Sequence, residues 1–287
     1  MPSGRVRFVC HAALSAVMMA AASARAGDVF ERGASGAGGQ VAGALTGGWR
    51  LSLEPSIWAP GLGGDLGFGA GDFQVERLRV DDARASALLR VQARRGDLVL
   101  DASGFVFSFD DATRTDAVQS AGGLAFAAGD PARVRFDLVS AELTVGARVW
   151  GVSLPGPGAG RVVKIGVDAF GGLRAYSLDA LVGSPGGGTR SGDGLWVEPI
   201  VGARLNVDLL NSAGFFLTLD AGAMPIGDHT STSFDIVTGI QWRPLRLVGV
   251  QFGWRQLLVD LQDGDGAGRF EYDGALAGLF GSVVIRF

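Results

Sequence analysis

Residues 195–209 alternate without a break. Leu195, Val197, Pro199, Val201, Ala203, Leu205, Val207 and Leu209 form one file, and Trp196, Glu198, Ile200, Gly202, Arg204, Asn206 and Asp208 form the other. A period of two marks an extended strand whose successive side chains point to opposite faces. A run of this length spans roughly 50 Å at about 3.4 Å per residue. That is out of scale for a soluble sandwich, but it suits a tilted strand that crosses a bilayer and continues past it.

The pattern recurs. Val163, Ile165, Val167, Ala169, Leu173 and Ala175 oppose Lys164, Asp168, Phe170, Gly172, Arg174 and Tyr176. Phe215, Leu217, Leu219 and Ala221 oppose Thr218, Asp220 and Gly222. Phe234, Ile236, Ile240 and Trp242 oppose Asp235, Gly239, Gln241 and Arg243, and Val248, Val250, Phe252 and Trp254 oppose Gln251, Gly253 and Arg255. Ala85, Ala87, Leu89, Val91 and Ala93 oppose Arg90, Gln92 and Arg94. One face is uniformly apolar, while the other mixes both signs of charge with glycine. That is the pattern of a membrane barrel, apolar towards lipid and polar towards the lumen.

Two segments are less regular. In residues 133–150 the apolar file changes phase between Leu138 and Ala141, which predicts a β-bulge near Val139-Ser140. In residues 98–109, Phe105, Phe107 and Phe109 share a face with Asp101 and Ser103. Short connections (95–96, 210–213, 243–245) alternate with longer polar ones (110–131, 179–193, 262–268), as periplasmic turns alternate with outer loops. Turn chemistry at Pro60-Gly61, residues 70–72 and Asp81-Asp82 divides residues 49–80 into three strands. The expectation is an all-β fold, a single antiparallel up-and-down transmembrane β-barrel over residues 49–287. It has about twelve strands, or ten if residues 49–69 form one bent strand and residues 73–80 a loop.

The N-terminus fits export. Arg5 and Arg7 precede an apolar run, and Ala24-Arg25-Ala26 meets the small-x-small cleavage rule, so residues 1–26 are expected to be a signal peptide. Residues 27–48 are glycine-rich and aperiodic, and are expected to form a flexible periplasmic lead-in. Removing Arg5, Arg7 and Arg25 leaves 22 basic against 29 acidic side chains, a net charge of −7, which disfavours nucleic acid as a partner. Cys10, the single cysteine, leaves with the signal, and so does His11, so thiolate chemistry is excluded and His229 is the one remaining histidine.

The candidate lumen-lining charges are Lys164, Asp168, Arg174, Glu198, Arg204, Asp220, Asp235 and Arg255. In a narrow interior such charges must pair. A salt-bridged filling is the plainer reading, and a small polar conduit the functional one. Residues 228–233 (DHTSTS) place His229 beside serines, but adjacency in one short loop is not the geometry of a nucleophile and its base, so no catalytic residue is assigned. Residues 263–266 (DGDG) lack the later carboxylate of a calcium loop and read as turn chemistry. No metal or cofactor is expected. Trp58, Trp150, Trp196, Trp242, Trp254, Tyr176 and Tyr272 are expected to form girdles at the membrane interfaces.

Residues 276–287, LAGLFGSVVIRF, end on an aromatic, with Leu279, Val283 and Ile285 on the face of Phe287. This ending is similar to the C-terminal assembly signal of Gram-negative outer-membrane β-barrels. Together with WAPGLGGDLGFG (58–69), DAFGGLRAY (168–176), EPIVGAR (198–204) and GWRQL (253–257), it resembles an uncharacterised family of such barrels, OmpA/OmpW-like in the broad sense. The resemblance implies a place in the cell outer membrane. It also implies contact with outer-membrane lipid, the barrel-assembly machinery and periplasmic chaperones, and a monomeric state; it carries no substrate and no catalytic residue. The expected role is structural or that of a passive small-solute channel. The alternatives are a lipid-modifying acyl hydrolase and a non-conducting barrel used in adhesion or envelope interaction.

Overall fold

The computed structural model describes residues 48–155, 162–184, 187–209 and 212–287. The signal peptide, its cleavage residues Ala24 and Ala26, and the lead-in up to residue 47 lie outside the described residues. The strands are β1 (Arg50–Phe68), β2 (Asp72–Gln74), β3 (Ser86–Arg95), β4 (Leu98–Arg114), β5 (Gln119–Ala121), β6 (Leu124–Phe126), β7 (Pro131–Pro155), β8 (Val162–Gly183), β9 (Thr189–Leu209), β10 (Ala213–Ile226), β11 (His229–Trp242), β12 (Val248–Asp263) and β13 (Phe270–Arg286). β1, β3, β4 and β7 to β13 pair antiparallel in sequence order, and β13 pairs back onto β1 from Ser52↔Arg286 to Phe68↔Phe270. The sheet closes on itself as an up-and-down ring, as a bilayer requires of any strand-built span.

The ring has ten strands, not twelve. Pro60-Gly61 does not end β1, because the ladder to β3 has already stopped at Trp58↔Ser86 and the strand runs on against β13, with the short β2 joining its other side only at residues 65–67. Residues 73–80 form no wall strand. Phe73, Val75, Leu78 and Val80 are buried, and this segment folds into the mouth of the ring beside the β5–β6 hairpin. The connections 96–97 and 243–247 lie at the end where β1 begins and β13 finishes, which short turns assign to the periplasm.

β7 has 25 residues and β8 has 22, whereas a tilted strand crosses the hydrocarbon in about 9–11. Of the expected long loop 179–193, residues 179–183 and 189–193 are therefore strand, continuing β8 and β9 beyond the membrane; in 110–131, β4 runs on to Arg114 and the rest carries the β5–β6 hairpin. The strands change character where they leave it. On β7 the outward file passes from Val149, Val145 and Leu143 to Asp137, Arg135 and Arg133, while the inward file passes from Arg148, Thr144 and Glu142 to Leu138, Phe136 and Val134. On β12, Phe252 and Trp254 face out and Arg255 faces in; further on, Asp260 faces out and Leu257, Val259 and Leu261 face in. The predicted bulge near Val139-Ser140 is absent. The β7–β8 register is unbroken there and shifts only between Arg148 and Trp150. The apolar file changes sides because the surroundings do: below, lipid is outside and polar groups inside; above, water is outside and a dry core inside.

The same boundary sorts the aromatics. Trp150, Trp242 and Trp254 face outward and are exposed, as girdle residues are. Trp58, Trp196, Tyr176 and Tyr272 are instead buried within the ring. Outside the bilayer, Asp137, Asp179 and Asp193 stand in one register row and Asp65, Asp273 and Asp260 in another. Burial and the facing Asp273 push Asp260 above its ordinary carboxylate range.

A single substitution made at two heights tests the inversion. Leu143→Arg, on the exposed apolar belt, is expected to cost about 2–4 kcal/mol of unfolding free energy in lipid vesicles. Ser177→Arg, outward on β8 above the belt, is expected to stay within about 0.5 kcal/mol. Equal costs would remove the boundary between the two halves.

Candidate functional site

The polar half of the lumen holds every predicted lumen charge except Lys164, which is exposed at the periplasmic rim, opposite Asp208 in register. Strand register brings opposite charges together. β8 sets Arg174 between Glu142 of β7 and Glu198 of β9, and it sets Asp168 between Arg148 of β7 and Arg204 of β9.

Nearest the periplasm, Asp168 accepts a hydrogen bond from Arg94 at 2.6 Å and another from Arg148. Next, Asp101 is held by Arg90 Nε at 2.8 Å, by Gln92 at 3.1 Å and by Arg204 at 3.4 Å, with Glu54 3.8 Å from Arg90. Deepest lies Arg174, only 1% exposed, which donates to Glu142 at 2.7 Å, to Asp220 at 2.6 Å and to Ser233 at 3.1 Å. Asp220 and Asp235 stand opposite each other in register, and Arg174 lies between them, 3.8 Å from Asp235. Asp235 takes a two-pronged contact from Arg255, whose Nη2 is 2.7 Å away. Arg255 marks the boundary of the two halves: its other face covers the rings of Trp58 and Phe105 at 5.0 and 5.1 Å.

Inward glycines make room for this filling. A Cβ on Gly202 would come 2.5 Å from the Phe170 ring, and one on Gly222 would come 2.6 Å from the Glu198 carboxylate. Within the network a cavity of about 80 Å³ is lined by Glu54, Arg90, Asp101, Arg204, Asp220 and Phe280, among others. Arg90, Arg94, Arg148, Glu54, Asp101 and Glu142 complete the network although they are not among the predicted charges. Arg90 and Arg94 carried a signal, since they share the polar file of β3 with Gln92. Asp101 was hidden by the aromatic residues that follow it in its inward file, and Glu142 by the apolar residues that precede it in its own.

Above Arg255 the lumen is filled. Phe136 lies against Phe109 at 6.0 Å, Phe107 at 6.1 Å and Tyr272 at 5.1 Å, and Phe73, Phe126 and Phe270 continue the cluster into the mouth. The outer half of the lumen is thus packed with buried aromatic and aliphatic side chains.

His229 is not in a loose loop but opens β11. Its two ring nitrogens face Asp263 and the Leu195 carbonyl, so no serine hydroxyl is paired with it. Asp263, from the DGDG turn, is engaged there. Of the C-terminal residues, Leu279, Val283 and Phe287 face outward and are exposed, and Ile285 is half-buried.

No family model matches the sequence, and no curated protein does either. Among solved structures, the chain is similar to Neisserial surface protein A, at 12% identity over 84% of this chain and 97% of that one, with a TM-score of 0.31. It is also similar to the outer membrane protease OmpT of Escherichia coli, at 11% identity over 83% of this chain and 97% of that one, with a TM-score of 0.42. The Pseudomonas putida toluene transporter TodX gives 11% identity, 83% and 89% coverage, and a TM-score of 0.22. At such scores the assignment rests on the molecule's own ring closure, apolar belt and short-turn end. The chain is an outer-membrane β-barrel.

Proposed function

We propose that this outer-membrane barrel is non-conducting and serves a structural, envelope-interacting role, with its membrane half anchoring a rigid outer half that stands clear of the lipid. The observation that carries this reading is the dry core. Trp58, Phe107, Phe136, Leu138, Tyr176 and Tyr272 occupy the lumen where a channel needs water, and each is at most 1% exposed. Below it the arginines and carboxylates form ion pairs with one another, apart from Glu198, which is held through Ser233.

Purified protein in planar bilayers is expected to give no discrete current steps in 1 M KCl, a condition chosen only for sensitivity. In the same preparation, gel mobility should shift on boiling, which shows that the silent protein is folded. Reproducible ohmic steps from the folded protein would overturn the reading in favour of a channel.

A further inference from the structure

β9 outlasts its neighbour. Its ladder with β10 ends at Ile200↔Gly222, although β9 extends to Thr189 and β10 to Ile226. Pro199 stands where the pairing stops, and it has no N–H to give a ladder. Beyond it β9 faces β11 and β12 across a seam that side chains close. His229 places Nδ1 2.8 Å from Asp263 Oδ1 on β12 and Nε2 3.2 Å from the Leu195 carbonyl oxygen on β9. The ring lies flat on Trp196 of β9, with centroids 5.5 Å apart and planes at 1°, and the indole N–H reaches across to the Gln262 carbonyl at 2.9 Å.

Both partners of the imidazole are acceptors. A neutral ring carries one N–H and can serve only one of them; an imidazolium carries two and serves both. An indole face also favours a cation lying on it. The charged groups beside the ring are Asp263 from β12 and Asp228, its neighbour in the β10–β11 turn; β9 offers the carbonyl and the indole. The side chain is 38% exposed, so protons from the medium reach it.

We propose that His229 is a proton-operated latch on the outer seam of the barrel: doubly protonated, it ties β9 to β12, and singly protonated it releases one of them. Histidine is the side chain suited to this, since it changes charge in the range of about pH 5 to 8.

The test is backbone amide exchange over residues 189–197 in the full chain in detergent micelles, at pH 6 and pH 8, scaled for the intrinsic exchange rate. Protection is expected to be about tenfold greater at pH 6, the worth of one charge-assisted hydrogen bond. His229→Asn should abolish the difference while leaving the heat-dependent gel shift intact. Asp263→Asn should shrink the difference, because the amide can donate to a neutral ring and so leaves its one N–H for the Leu195 carbonyl. Because His229 is the only histidine besides His11, ring-nitrogen NMR reports its protonation directly. Equal protection at the two pH values, a difference that survives His229→Asn, or one left unchanged by Asp263→Asn would each overturn the latch. None of these outcomes bears on conductance, so the latch stands or falls separately from the non-conducting role.

Discussion

Arg174→Met is expected to be the most damaging single substitution in the membrane half, lowering the unfolding free energy by about 3–5 kcal/mol. Arg174 and Arg255 are the two guanidiniums that serve Glu142, Asp220 and Asp235, with Glu198 beside them, linked to Arg174 through Ser233. Glu198 is fully buried, and its Oε2 has no hydrogen-bond partner among the described residues. Methionine fills most of the same space, so the loss reports charge rather than volume. Urea titration of the barrel in lipid vesicles, followed by gel mobility, measures it. The triple variant Arg174→Met, Glu142→Gln, Asp220→Asn should recover much of the loss, because it removes the two carboxylates that Arg174 pairs with most closely along with their counter-charge. A single variant within about 1 kcal/mol of the parent would show that the network is well hydrated and not obligatory.

The outer half should fail differently. Phe136→Ala removes a fully buried ring that touches three other aromatics, and is expected to cost about 3–5 kcal/mol. The effect should be confined to the core above Arg255. Protease should then cut the arginine-bearing segments of the outer half while the apolar belt stays protected in vesicles. Ile226→Ala, on the exposed tip of the β10–β11 hairpin, serves as a control expected to stay within about 0.5 kcal/mol. If Phe136→Ala behaved like Ile226→Ala, the outer lumen would be hydrated and the non-conducting reading would lose its basis.

The barrel was legible in the sequence because period-two alternation depends only on local geometry, as in residues 195–209. The lumen-facing set followed from the same parity, and Asp168, Arg174, Glu198, Arg204, Asp220, Asp235 and Arg255 all face inward. Two things were not legible. The first was where the solvent changes. In residues 133–150 the apolar file switches sides with no irregularity in the backbone, and a pattern of apolar and polar letters cannot separate a bulge from a change of surroundings. The second was the pairing that ignores turn signals. Pro60-Gly61 has the chemistry of a turn, but β13 holds the strand straight through it, and that partner lies more than two hundred residues away. The His229 contacts were hidden for the same reason, since Leu195 and Asp263 reach it from two other strands.

The reversal of polarity along each strand also has a consequence for biogenesis. The far ends of the strands carry an acidic collar, with Asp137, Asp179 and Asp193 in one row and Asp65, Asp273 and Asp260 in another. An aspartate at the centre of a bilayer costs about 2.5–3.5 kcal/mol. A barrel arriving from the periplasm has to move this whole collar through hydrocarbon before its apolar belt reaches its resting depth. The apolar residues of the outer lumen can shield one another only after β13 meets β1, so until closure they lie open to water or lipid. Unaided insertion should therefore be slow even though the finished barrel is stable. Once in place, the same collar blocks the return path, and the barrel is held at one depth by a barrier in each direction.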